Sequence, residues 1–161
     1  MKKKPHAPAK LVLPPKLNLP IREIMTRDVA VIRPDASVHD AARKMRDRDV
    51  GMLPVLNGDR VMGLLTDRDI TVRATAGGLS ASRTKVRKIM TPLVAFCYDD
   101  EDVQSAIYTM ERRQIRRVLV LNHEEKLVGV LSIGDLAVDT GNKILAGEVL
   151  RKVSEPEKAG R

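Results

Sequence analysis

Two stretches of the chain set a hydroxyl and a carboxylate three residues apart where an apolar run gives way to a polar one. They are Thr66 and Asp69 in Gly63-Leu64-Leu65-Thr66-Asp67-Arg68-Asp69-Ile70, and Ser132 and Asp135 in Gly129-Val130-Leu131-Ser132-Ile133-Gly134-Asp135-Leu136. A hydroxyl at the end of a strand accepts from the first free N–H groups of the helix it starts, and an acid three residues on closes a capping box. One such pair on its own is ordinarily just a helix cap. A helix start is also the positive end of a dipole, and a carboxylate beside it can accept from ribose hydroxyls, as it does in dinucleotide folds. The same atoms can therefore cap a helix and hold a nucleotide, and the duplication of the pair brings the second role into consideration.

The elements that must position these groups repeat as well, at offsets of 65 and then 66 residues. Ile24-Met25-Thr26 corresponds to Ile89-Met90-Thr91, and each is followed by a candidate strand, Val29-Ala30-Val31-Ile32 and Leu93-Val94-Ala95-Phe96. A helix comes next in each half. Ser37-Val38-His39-Asp40 reads as its capping box, with Val38, Ala41, Ala42 and Met45 on one face, and the second copy has Asp102 at the cap and Val103, Ala106, Ile107 and Met110 on the same face. Then a hairpin is expected around Asn57-Gly58-Asp59, and its counterpart turns at Asn122-His123-Glu124-Glu125, whose extra residue moves the offset to 66. Pro54 suits an edge or a strand start. Each half closes with a helix, one running from about Asp67 to Gly77-Gly78 and the other starting near Gly134. Finding this repeat first matters, because the fold class follows from it.

Composition narrows the function. The 161 residues are 43% hydrophobic and only 2% aromatic, so the core is aliphatic and platforms for stacking single-stranded nucleic acid are scarce. The net charge of +8 sits in the tails: residues 1–22 hold six basic groups and no acid, residues 23–150 hold 19 of each sign, and residues 151–161 hold four basic and two acidic groups. A neutral body is unlike a domain that presents a basic face to DNA or RNA. The lysine- and proline-rich segment 1–20 reads as an extended arm, solvated or docked on a dimer partner through Leu11, Val12, Leu13 and Leu19. Residues 79–86 read as a linker, and residues 141–161 as a tail that is helical in part around Ile144 to Leu150, adding a turn or docking on a neighbour. No secretory or membrane-spanning run is present, and the lone Cys97 lies in an apolar strand-like run, so a cytoplasmic protein with a buried, inert thiol is expected. His39 reads as a surface residue, and three histidines without a ligand pattern give no metal site.

With two β-α-β-β-α units in series, the sequence resembles a tandem pair of cystathionine-β-synthase (CBS) domains, a Bateman module, over residues 21–78 and 87–140. The likeness is carried by Ile24-Met25-Thr26, Val50-Gly51-Met52-Leu53-Pro54-Val55 and Gly63 to Ile70 in one half. In the other it is carried by Ile89-Met90-Thr91, Ile115-Arg116-Arg117-Val118-Leu119-Val120 and Gly129 to Leu136. The resemblance implies an α+β fold with pseudo-two-fold halves packed through their sheets, two clefts that take AMP, ATP or another adenosyl ligand such as S-adenosylmethionine, and pairing of modules into a disc-like homodimer. By position it implies that Asp69 and Asp135 accept from ribose, that Thr66 and Ser132 meet phosphate, and that Thr26 with Ala30 and Thr91 with Ala95 line the adenine pockets. Arg116 and Arg117 stand where nucleotide-binding members direct basic residues at phosphate, while the first half has Gly51 and Met52 there, with Arg68 as its compensating candidate. The cleft of Ser132 and Asp135 is therefore expected to be the better phosphate site.

The expected function is a non-catalytic sensor that needs no cofactor and acts through its dimer or a target protein, since no nucleophile–base set or P-loop is present. The competing readings are a nucleic-acid-binding protein that uses its basic arms on a dimeric platform, and a structural dimer with degenerate clefts.

Overall fold

The computed structural model describes residues 19–92, 94–139 and 143–155. Most of the expected N-terminal arm, residue 93 and the last six residues fall outside them.

The first repeat contributes α1 (Val38–Asp47), β1 (Met52–Asn57), β2 (Arg60–Thr66) and α2 (Asp67–Asp69), the last continued by a π-helical segment (Ile70–Thr75). The second contributes β3 (Phe96–Tyr98), α3 (Val103–Arg113), β4 (Arg117–Leu121), β5 (Leu127–Ser132) and α4 (Ile133–Asp139), followed by α5 (Lys143–Ser154). The fold is α+β. β1 and β2 form an antiparallel hairpin, while β3, β4 and β5 form a three-stranded sheet in that order, β3 parallel and β5 antiparallel to β4. Each hairpin carries one bulge, at Val55/Leu56 and at Val120/Leu121.

Local chemistry explains the elements. Ser37 accepts from the Asp40 N–H at 3.0 Å and Asp102 accepts from the Ser105 N–H at 2.9 Å, so each long helix starts at its expected cap. Both end on a residue in the left-handed region, Asp49 (φ 50) and Gln114 (φ 54), after which Val50 and Ile115 donate back to the carbonyls of Met45 and Met110. The hairpin turn is closed by Gly58 at φ 61.

Three expectations are corrected. The strand at Val29–Ile32 is reduced to a single parallel bridge of Ile32 to Val55, and this thin contact leaves room on β1 for Pro54, which has no N–H to donate. Its counterpart begins later than expected, at Phe96. On α1 the buried positions are Val38, Ala41 and Met45, and Ala42 is exposed. On α3 all four inward positions are buried, because α5 lies over α3 and α4 and adds Leu145, Val149 and Val153 to the same core. The tail thus docks on its own chain.

The halves are joined by exchange. Thr26 exchanges two backbone hydrogen bonds with Val130, at 2.9 and 3.0 Å, and Thr91 exchanges two with Leu64, at 2.8 and 2.9 Å. Each lead-in segment thereby extends the sheet of the other repeat. Their apolar side chains follow: Ile21 and Ile24 lie in the core of the second repeat, and Val86 and Ile89 in the core of the first. The close approach accounts for a glycine in each motif. A Cβ on Gly63 would overlap the Thr91 carbonyl oxygen, and one on Gly129 would lie 2.5 Å from Met25 Sδ and 3.0 Å from the Thr26 carbonyl oxygen.

At the β4–β5 turn, His123 stacks on Tyr98 with centroids 4.7 Å apart, and its Nε2 lies 2.9 Å from Asp100 Oδ2. The hydrogen bond to Asp100, and then the charge of that carboxylate, hold the His123 pKa above its ordinary 6.5. Cys97 is buried, and burial pushes its thiol up to about 11.

Gly63→Ala is expected to destabilise the fold by about 1–3 kcal/mol or more, since backbone cannot step aside, and Gly129→Ala by less, because a flexible methionine takes part of the overlap. Denaturant midpoints of the two variants check the order. A group whose pKa is raised on folding adds stability below its unfolded value and loses it as pH rises through its folded value. The melting-temperature difference between the native chain and His123→Gln should therefore be full just below pH 6.5 and fade above it. A pH-independent difference would refute this account of the turn.

Candidate functional site

The two caps share one geometry. In the second repeat the Ser132 N–H and hydroxyl donate to Asp135 Oδ2 at 2.6 and 2.7 Å, while the Asp135 N–H donates to Ser132 Oγ at 3.2 Å. In the first, the Thr66 N–H and hydroxyl donate to Asp69 Oδ2 at 2.9 and 2.8 Å, and the Asp69 N–H donates to Thr66 Oγ1 at 3.1 Å. The capping role is thus occupied in both copies. It uses Oδ2 alone, and in each repeat Oδ1 is turned elsewhere.

In the second repeat Oδ1 faces a cleft. Thr26, brought there by its bridge to Val130, donates through Oγ1 to Asp135 Oδ1 at 3.3 Å. Thr26, Ala30, Ser132, Asp135 and Arg117 line one cavity of about 210 Å³. Its opposite wall comes from the first repeat, from Asp28 and Val29 and from the turn after α1, Asp49-Val50-Gly51-Met52. No His or Cys is among the described residues that line it. Arg48 pairs with Asp28 at 2.6 Å, so the carboxylates not matched by that pair are Asp49 and Asp135, against the single guanidinium of Arg117.

In the first repeat the corresponding place is filled. Arg73 Nη1 lies 3.3 Å from Asp69 Oδ1 and donates to Thr91 Oγ1 at 3.1 Å and to the Ile89 carbonyl at 2.7 Å. Ala95 lines a separate cavity with Tyr108, Thr109, Arg112 and Arg113. Arg68 is exposed, and its backbone N–H donates to Asp67 Oδ1.

Of the expected arginine pair, only Arg117 reaches this cleft. Arg117, first in β4, lines the cleft and also shares with Arg116 and Ser132 a second cavity against Ala146, Gly147 and Leu150 of α5, where Arg116 reaches Ser154 Oγ at 3.3 Å. Sequence reasoning missed three contributors: Asp28, Asp49 and Arg73. Arg73 had a legible signal, being four residues after Asp69 on a helix, the spacing of an ion pair. Asp49 had none, because its place depends on how one repeat meets the other.

A duplicated α+β unit with an exchanged lead-in and a capping box beside each crossing defines a tandem-repeat module. The CBS-domain family model matches residues 21–74 and 86–138, and the chain belongs to the CBS domain family as a pair of such domains. It is 33% identical over 134 residues to the CBS domain-containing protein YhcV of Bacillus subtilis, covering 83% of this chain and 94% of that protein. The crystal structure of Hypoxic Response Protein I with two coordinated zinc ions matches with a TM-score of 0.67 at 31% identity, over 74% of this chain and 97% of that one. The CBS domain pair of protein MJ0100, solved in complex with 5'-methylthioadenosine and S-adenosyl-L-methionine, shares the fold with a TM-score of 0.68 at 22% identity, over 78% and 98% of the two chains. Among the described residues here, no group of three or more His, Cys, Asp or Glu is placed to hold a metal ion. None of the described helices is long and apolar enough to cross a membrane.

Ser132→Ala removes a cap acceptor and should cost about 1 kcal/mol of stability, as should Thr66→Ala, which thermal or urea unfolding of the two variants will measure.

Proposed function

We propose that this chain is a non-catalytic regulatory module that binds an adenosyl ligand in the cleft between Thr26, Ala30, Ser132, Asp135 and Arg117. The observation that carries this reading is Oδ1 of Asp135, which the helix cap does not use and which meets only the neutral hydroxyl of Thr26, at the side of a cavity built from both repeats. In that role Asp135 accepts from a ribose hydroxyl, Ala30 and Val29 lie against the base, and Ser132 and Arg117 meet a phosphate or other 5' substituent. The binding of adenosyl compounds by the MJ0100 domain pair is in keeping with this assignment.

Charge refines the ligand class. With Asp49 and Asp135 beside one guanidinium, the cleft is net negative by about one charge before a ligand enters, and each added phosphate group brings further negative charge towards Asp49. Uncharged or sulfonium adenosyl compounds therefore suit it better than AMP, and AMP better than ATP.

A ligand touching both repeats favours the arrangement of the halves that fits it, by as much as its affinities for the two arrangements differ. We propose that this is read out by a second copy of the chain or by a target protein. Val138 and Ile144, 79% and 76% exposed beside the α4–α5 junction, give such a partner apolar surface to bury.

Calorimetry of the purified, ligand-free protein with AMP, ATP, 5'-methylthioadenosine and S-adenosylmethionine tests the reading. Binding of at least one of them is expected, with ATP weaker than AMP. Asp135→Asn keeps the cap acceptors and removes the charge, and should weaken binding about 10- to 100-fold, the worth of a hydrogen bond to a charged group. Absence of binding by all four compounds would overturn the proposal.

A further inference from the structure

We infer that Arg73 is a built-in occupant of the first cleft, so that the chain takes one adenosyl ligand, in the second cleft, and not two. The inference rests on the functional reading above and concerns its stoichiometry and specificity.

The argument comes from comparing the same atoms in the two repeats. Thr26 and Thr91 are equivalent, as are Asp135 and Asp69, and in both repeats the cap engages Oδ2 and leaves Oδ1 for another partner. In the second cleft Thr26 Oγ1 donates straight to Asp135 Oδ1. In the first, the Arg73 guanidinium stands between the equivalent oxygens, 3.3 Å from Asp69 Oδ1 and 3.1 Å from Thr91 Oγ1, and is anchored by the Ile89 carbonyl at 2.7 Å. The oxygen that would accept from a ribose hydroxyl is already engaged by a cation.

Two features make the occupancy specific to this repeat. The residue equivalent to Arg73 in the second repeat is Asp139, which cannot play the part. Arg73 also lies within the π-helical segment Ile70–Thr75, whereas α4 is α-helical from Ile133 to Asp139. An i→i+5 turn is wider than an α-turn and is frequent where a helix serves a site.

The contact is hard to displace. Asp69 has a side chain only 12% exposed beneath an arginine that is 46% exposed, so the guanidinium covers the carboxylate from the solvent side. A neutral hydroxyl arriving in its place would leave a largely buried carboxylate without its cation and an arginine without three partners. Arg73 is tethered four residues away and competes at the high effective concentration of an intramolecular group.

Calorimetric stoichiometry with AMP and with 5'-methylthioadenosine decides the matter. The native chain should bind one equivalent, unchanged by Asp69→Asn. Arg73→Ala should bind two, and Asp69→Asn in that background should return it to one. Arg73→Gln, which keeps the packed stem, is the second variant should the alanine form not fold. Two equivalents on the native chain, or no gain in either arginine variant, would overturn the inference. The tests separate the two proposals: a native chain that binds nothing while Arg73→Ala gains one site sensitive to Asp69 refutes the second-cleft reading and upholds the role of Arg73.

Discussion

Four backbone hydrogen bonds, two between Thr26 and Val130 and two between Thr91 and Leu64, hold the architecture together, because they commit the lead-in of each repeat to the sheet of the other. The side chains then have no choice of core. Ile21 and Ile24 complete the second repeat, and Val86 and Ile89 the first. Burying an aliphatic side chain fully contributes roughly 1.5–3 kcal/mol, so the exchanged residues make each repeat depend on its twin. Gly63 and Gly129 are the geometric condition for the exchange, since backbone passes where a side chain would stand.

The same crossing creates the cleft and its filled counterpart. It delivers Thr26 to Asp135 and Thr91 to the neighbourhood of Asp69, so each cap acquires a partner from the other repeat. The capping box in this fold has two faces, one oxygen that stabilises a helix start and one that is directed away from it. What that second oxygen meets distinguishes the repeats: an open cavity on one side, an arginine on the other. A duplicated capping motif has thus yielded one carboxylate paired with an arginine and one without such a pair, through one side chain in a helix and its winding.

Much of this was readable beforehand, and the limits of the reading have physical causes. Caps at Ser37, Asp102, Thr66 and Ser132, the inward faces of α1 and α3, and both hairpins rest on contacts within a few residues, and all were expected from spacing. Ala42 was misassigned because the inward face of α1 is narrower than that of α3, over which α5 adds a further layer. Arg116 and Arg117 look alike as a charged pair, yet only Arg117, the first residue of β4, reaches the cleft, while both border the cavity against α5. The C-terminal helix was visible only as an apolar run, with nothing in its spacing to say which surface it would cover.

The sequence by itself determined the duplication, the order of elements and the acid–hydroxyl pairs that start the closing helices, since periodicity and capping are local and the two copies corroborate each other. Only the tertiary structure decided that lead-ins are exchanged, that Asp28 and Asp49 wall the second cleft, and that Arg73 fills the first. These depend on which distant backbone comes within hydrogen-bonding reach, and local pattern does not encode that distance.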